Sequence, residues 1–314
     1  MSASSVHVAI VQTHPAHLDL DGSIARVIDG ASRARKEGAT LVVFGESFLS
    51  GYPKWLDVAR GAALWDHEPT RAAFARLRSN ALRIESPESS RLAKLAAELG
   101  IFLILGAHER VDSGPGNGTL YNALLGWNPE GSLVLHHRKL VPTYTEKLVW
   151  GPGDAHGLRA APTSVGRVGG LICWEHWMPL ARQALHESGE DIHVALWPTV
   201  AGPHQTASKA YAFEGRCFVL AAGTLTRAGD LPEEFRADIE EDDDTLLIRG
   251  GSAIVGPDGE FLVEPVMDRD TIVHAELDLR RIDKERLTLD VTGHYARPDI
   301  FQFAVNRSPR GRDS

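Results

Sequence analysis

Short apolar runs alternate with amphipathic stretches along almost the whole chain, and this alternation restricts the fold more than any other feature. Residues 6–12, 41–44, 101–107, 120–127, 133–138, 168–172, 193–197, 218–222, 251–255 and 272–276 read as strands. Between them, residues 23–36 place Ile24, Val27, Ile28 and Ala31 on one helical face, and 70–82, 87–99, 179–187, 204–216 and 280–288 read as further helices. Strands linked through helices pair in parallel. The Gly- and Asn-rich turns between residues 101 and 138 instead join consecutive strands, so part of the sheet is expected to be antiparallel. A mixed α/β layered protein is predicted.

No Ser-, Pro- or Gly-rich linker, internal repeat or low-complexity block interrupts the pattern, and 314 residues can bury one large core, so a single domain is expected. The opening residues lack a basic leader with a long apolar stretch, and no run approaches the ~20 apolar residues that cross a bilayer. A soluble, cytoplasmic protein is the expectation. The only cysteines, Cys173 and Cys217, give no disulfide framework, and a net charge of −9 argues against nucleic acid as a partner. The acidic run at residues 240–244 reads as a solvated loop, since it lacks the spaced ligands and glycine of a calcium loop.

Chemistry concentrates at three strand ends. Cys173 follows Gly169-Gly170-Leu171-Ile172 and precedes an amphipathic helix, a turn where backbone N–H groups and a helix dipole are expected to favour a thiolate. Glu46 follows Val42-Val43-Phe44-Gly45, and Lys139 follows His137-Arg138. Each alone has an ordinary reading as a packed thiol, a solvated carboxylate or a surface base. All three fall where a strand gives way to a loop, which is where open α/β sheets gather active-site groups. His136 and His137 point to opposite faces of one strand and His186 and His193 flank a helix–strand joint, so no metal site is expected. Cys217 reads as a packed, inert thiol.

With these segments in hand, the chain resembles the nitrilase superfamily of carbon–nitrogen hydrolases over nearly its full length. Cys173-Trp174-Glu175-His176 is similar to the signature of the true nitrilase branch. So are Gly51-Tyr52-Pro53, the stretch His137-Arg138-Lys139-Leu140-Val141-Pro142-Thr143 with Glu146 and Trp150-Gly151, and Gly293-His294-Tyr295-Ala296-Arg297-Pro298-Asp299. The resemblance implies a four-layer α-β-β-α sandwich whose helices pair across a subunit interface, hence a homodimer or higher homo-oligomer. It implies one nitrilase domain over residues 1–314. The tail after the last motif, about residues 300–314, is shorter than the branch commonly carries, which argues against long spirals.

The same resemblance implies a Glu46–Lys139–Cys173 triad that needs no cofactor, acts on a small nitrile and passes through a thioimidate and a thioester. It places Glu146 as a second glutamate positioning the lysine and the water, where a salt bridge with Lys147 is the plain alternative. Glu175 could help orient the loop, yet buried pairing with an arginine would serve structure equally well, so it is left out of the catalytic set, and Glu214 is given at most a structural or supporting part. Tyr52, Trp150, Trp174 and Trp177, with Pro198, are expected to wall a mostly apolar substrate pocket, against the ordinary reading of aromatic residues as core. Trp55 belongs to the same aromatic group. The competing functions are an amidase or carbamoyl-amide hydrolase with the same triad, a non-catalytic scaffold and, remotely, a thiol redox sensor.

Overall fold

The computed structural model describes residues 5–114 and 116–308; the first four residues and the end of the tail lie outside it. Among the described residues, thirteen strands and seven α-helices follow the predicted alternation. The strands are β1 (Ser5–Gln12), β2 (Leu41–Phe44), β3 (Phe102–Arg110), β4 (Leu120–Trp127), β5 (Leu133–Arg138), β6 (Ala161–Thr163), β7 (Gly166–Ile172), β8 (Ile192–Leu196), β9 (Phe218–Ala222), β10 (Leu225–Arg227), β11 (Leu246–Val255), β12 (Phe261–Met267) and β13 (Thr271–Asp278). The helices are α1 (Leu20–Lys36), α2 (Trp55–Val58), α3 (Glu68–Ser79), α4 (Pro87–Leu99), α5 (Pro179–His186), α6 (Gly202–Gly215) and α7 (Arg280–Arg286).

They form two mixed sheets. One has the order β13-β1-β2-β3-β4-β5 and the other β10-β11-β9-β8-β7-β6, with β12 added on β11. β1, β2 and β3 pair in parallel, as do β7, β8 and β9, while β3, β4 and β5 form the expected antiparallel meander.

The two-residue period of a strand shows why the layers stack. Val6, Val8 and Ile10 of β1 enter a core shared with Leu171, Val194, Leu220 and Ile254 of the other sheet. Ala9 and Val11 point the other way, into a second core with Ile24, Val27 and Ala31 of α1 and Leu92 and Leu95 of α4. On the far side of the second sheet lie Ala181, Ala184 and Leu185 of α5 and Ala207, Tyr211 and Ala212 of α6. The result is the α-β-β-α sandwich. A third, smaller cluster of Trp55, Leu56, Leu77, Trp150 and Phe235 packs the loops beyond the strand ends.

Helix α1 starts three residues earlier than the periodicity predicts, because the Asp19 side chain accepts a hydrogen bond from Gly22 N–H and caps it. Three strands escape the sequence pattern: β6 and β10 span three residues each, and β12 is only partly buried.

Candidate active site

Glu46, Lys139 and Cys173 follow β2, β5 and β7, so both sheets send chemical groups to one end of the sandwich. Close approach there requires glycine: a Cβ at Gly106 of β3 would lie 2.3 Å from the Ser47 backbone nitrogen and 2.6 Å from the Gly45 oxygen. Cys173 itself has φ +55°, a left-handed conformation that turns the chain sharply off the strand. The next residues form a five-residue 3₁₀ turn, Cys173–Trp177, before α5 begins.

The groups meet in a dry cluster. Lys139 Nζ donates to Glu46 Oε1 at 3.2 Å and to Glu146 Oε2 at 2.6 Å, with all three residues at most 2% exposed. One ligand atom from each of Glu46, Glu146 and Cys173 falls within 4.8 Å of the others. Such a set is close enough for a divalent metal, but the Lys139 ammonium already stands between the two carboxylates as their cation.

Glu146 is held from three sides. Besides Lys139, Tyr52 O–H donates to its Oε1 at 2.8 Å and Thr143 N–H to its Oε2 at 2.7 Å. Its partners are therefore those of the site and not Lys147.

Burial decides the proton balance. It raises the Glu46 carboxyl to about 7; Lys139 opposes the shift, Glu146 adds to it, and the Asn122 hydrogen bond opposes it. Burial alone would lower Lys139, yet the charges of Glu46, Cys173 and Glu146 outweigh it and hold the ammonium protonated. The Cys173 thiol is pushed well above its ordinary range, first by burial and then by Glu46, although Lys139 and the Trp174 backbone N–H pull it down. This corrects the expectation of a helix-dipole thiolate. No α-helix starts at Cys173, where the chain enters only a short 3₁₀ turn, and the cysteine, 3% exposed, lies beside two carboxylates. Its proton must leave for a neighbouring base as chemistry begins.

A cavity of about 290 Å³ opens over the cluster, lined by Tyr52, Glu146, Cys173, Trp174 and Pro198 among others. Trp150 and Trp177 are not in its wall. Trp150 is buried behind Tyr52, with ring centroids 5.9 Å apart, and its indole N–H donates to His108 Nδ1 at 3.0 Å. Trp177 stands on the outer side of Trp174, 6.5 Å between centroids and 40% exposed. Lys54, Asp57, Thr143, Thr145, Thr199 and His204 also line the space, so the wall is mixed where a mostly apolar one was expected.

Two contributors were missed or undervalued from sequence. Asn122 of β4 donates to Glu46 Oε1 at 2.7 Å, and nothing in its local sequence separates it from a strand-interior asparagine. Glu175, for which the sequence leaves open orienting the loop or pairing with an arginine, accepts from the backbone N–H groups of Ile172 and Leu140 and faces His137 Nε2 at 3.0 Å. It thus ties the segment before Cys173 to the one after Lys139. Glu214 pairs with Arg182 at 2.7 Å on the outer helices, and Cys217 is fully buried in the core.

A sandwich of this build, with a thiol, an ammonium and two carboxylates converging at its strand ends, has the makings of a cysteine-dependent hydrolase. The family model for carbon-nitrogen hydrolases matches residues 7–286, and the chain belongs to that family. It is 37% identical to an aliphatic nitrilase of Sinorhizobium fredii over 96% of each chain, and 35% identical to an arylacetonitrilase of Trametes versicolor over 98% of each. Among solved structures, a carbon-nitrogen hydrolase from Helicobacter pylori superposes with a TM-score of 0.73 at 20% identity, covering 94% of this chain and 97% of that one, a likeness of fold. Among the described residues, no helix is long and apolar enough to cross a membrane.

Proposed function

We propose that this enzyme is a nitrilase that converts a small nitrile and two waters into a carboxylic acid and ammonia. The observation that carries the reading is the buried thiol of Cys173 sharing a 4.8 Å cluster with the carboxylates of Glu46 and Glu146, Cys173 and Glu146 themselves lining the cavity. The nitrilase relatives matched over nearly their whole length support the choice of nitrile.

A nitrile carbon is a weak electrophile, so it needs a strong nucleophile and a way to protonate the nitrogen. Glu46 takes the thiol proton as Cys173 Sγ adds to the nitrile carbon, and the proton passes to nitrogen, leaving a thioimidate. A water that gives its proton to Glu46 adds to the same carbon. Glu46 returns that proton to nitrogen, and the hydroxyl proton of the tetrahedral species then passes through Glu46 to the same nitrogen as the C–N bond breaks, so that ammonia leaves and a thioester remains. A second water, again deprotonated by Glu46, displaces the sulfur and releases the acid, and the thiol regains its proton. Lys139 and the Trp174 N–H stabilise the negative charge that builds in these steps, a donor's part that is typically worth ~10²–10³ in rate. A carboxyl raised to about 7 suits this duty, because a large fraction is ionised at neutral pH and that fraction is a far stronger base than an ordinary carboxylate.

Matched nitrile and amide pairs given to the pure enzyme, with ammonia and acid quantified, test the reading. The expected result is acid and ammonia in equal amounts from the nitrile. Much faster turnover of the amide would assign the chain to amide hydrolysis instead.

A further inference from the structure

A buried file of side chains that this chemistry does not use runs from the backbone of Cys173 into the core. His176 Nδ1 lies 2.7 Å from the Cys173 carbonyl oxygen, His176 Nε2 lies 3.0 Å from His193 Nε2, and His193 Nδ1 lies 2.9 Å from Glu190 Oε1. Tyr211 O–H donates to the other Glu190 oxygen at 2.5 Å. His176, His193, Glu190 and Tyr211 are each at most 2% exposed. Their rings are clamped by stacking, His193 on Tyr211 at 3.7 Å and His176 on Trp197 at 4.6 Å between centroids.

Proton counting fixes the state of this file. A carbonyl oxygen only accepts, so His176 Nδ1 carries a hydrogen. Each of the other two contacts joins atoms that accept when bare, and each holds only with one proton in it. Three contacts therefore need three protons on two imidazoles and one carboxyl, and that set is electrically neutral. With both rings neutral, His193 Nε2–H donates to His176, and Glu190 is a carboxylic acid donating to His193 Nδ1. Burial favours this arrangement: it raises Glu190 to about 7, lowers His176 to about 3 and drives His193 well below its usual range. Strand β7 leaves room for the acid, since a Cβ at Gly169 would lie 2.0 Å from Glu190 Oε1.

The Cys173 carbonyl and the Trp174 N–H are opposite ends of one rigid trans peptide plane, so holding the first aims the second. We propose that Glu190 is a positioning residue: its carboxylic proton, acting through His193 and His176, locks the Cys173–Trp174 peptide with the Trp174 N–H turned toward the reacting centre. This rests on the reading of Cys173 as nucleophile and of Trp174 N–H as a donor to the developing charge. The left-handed turn at Cys173 is outside any strand ladder, and the His176 contact supplies the restraint that a ladder would give.

Glu190→Gln retains an N–H for His193 Nδ1 and an oxygen for Tyr211, whereas Glu190→Leu keeps bulk and removes both. On a substrate the wild type hydrolyses, Glu190→Leu is expected to lower kcat by about 10²-fold with KM within about threefold, and Glu190→Gln to recover most of the loss. Equal losses in both variants, or full kcat in the leucine variant, overturn the proposal. Nitrogen-15 NMR of histidine-labelled wild-type protein decides the matter even if the leucine variant fails to fold. His176 protonated at Nδ1 only and His193 at Nε2 only is expected; a doubly protonated His193, or His176 protonated at Nε2, overturns it. If the enzyme cleaves amides and not nitriles, the nitrilase reading fails while the Gln-against-Leu contrast remains measurable on the amide.

Discussion

Arg138 and Lys139 are neighbours in the chain, both are buried, and both face carboxylates, yet the two ion clusters are built differently. Arg138 grips Glu109 with two prongs, Nε to Oε2 at 2.9 Å and Nη2 to Oε1 at 2.5 Å, while His136 Nε2 lies 2.8 Å from the same carboxylate. Burial alone would raise Glu109, but the hydrogen bonds of Arg138 and His136 hold it at about 2. Lys139 is a compact ammonium shared by Glu46 and Glu146 beside a thiol. Glu46 keeps Oε2 without a hydrogen-bond partner among the described residues, and its carboxyl stays near 7. A planar fork saturates a carboxylate and makes it inert, whereas a point charge divided between two acids leaves one of them able to take a proton.

The largest effect that sharpens this contrast is expected from Cys173→Ala. Turnover should fall at least ~10⁴-fold with an unchanged unfolding midpoint; activity within tenfold of wild type would mean that the open cluster is not chemical at all. Next come the two carboxylates themselves. Glu46→Gln should cost about 10²–10⁴ in kcat as a lost general base and little stability, because Glu146 still neutralises Lys139 at 2.6 Å. Glu109→Gln should do the reverse, losing about 3–5 kcal/mol in urea unfolding by breaking a buried pair, with activity falling only as the folded fraction falls. If the Glu109 variant kept its stability and lost its turnover, the division between a structural and a reactive cluster would collapse.

Much of this was readable before any coordinates. The strand–helix alternation marks β1 to β5 and β7 to β9 because each contains a run of apolar residues, while β6 and β10 are too short to show a period. Glu46, Lys139 and Cys173 are visible because each stands just past the end of a strand. Their convergence is not, since it depends on two sheets meeting face to face. The thiol's state was misjudged for a local reason: the turn after β7 is 3₁₀ and α5 starts only at Pro179, so a dipole inferred from the following helix is not at the sulfur. Asn122 was illegible because its role comes from strand pairing, which sets β4 next to both β3 and β5 and brings its amide to a carboxylate 76 residues away. Trp150 and Trp177 lie outside the cavity's lining, because being near a motif in sequence does not decide which side of a wall a ring occupies.

The subtlest difference between the clusters is how each carboxylate is tuned, and Asn122 offers a way to move one without touching the other. Its amide donates to Glu46 Oε1 at 2.7 Å and so favours the carboxylate, against the burial that dominates the shift. Asn122→Ala removes that donor, so the Glu46 carboxyl should rise further. Catalysis by Glu46 needs the ionised form, present above its pKa; the acid limb of kcat/KM should therefore start near pH 7 in wild type and move to higher pH in the variant. A raised carboxyl contributes stability that is fully present below its unfolded pKa and is lost as pH rises through the folded value, so the variant's added loss of stability should appear on the alkaline side. Any pH-independent loss of folded protein from the lost hydrogen bond would lower the amplitude of the profile but not displace its midpoint. The midpoint is thus the deciding quantity. A limb that stays in place or moves to lower pH would show that Asn122 fills space beside Glu46 without tuning it, and the reactive cluster would then owe its poise to burial, Lys139 and Glu146.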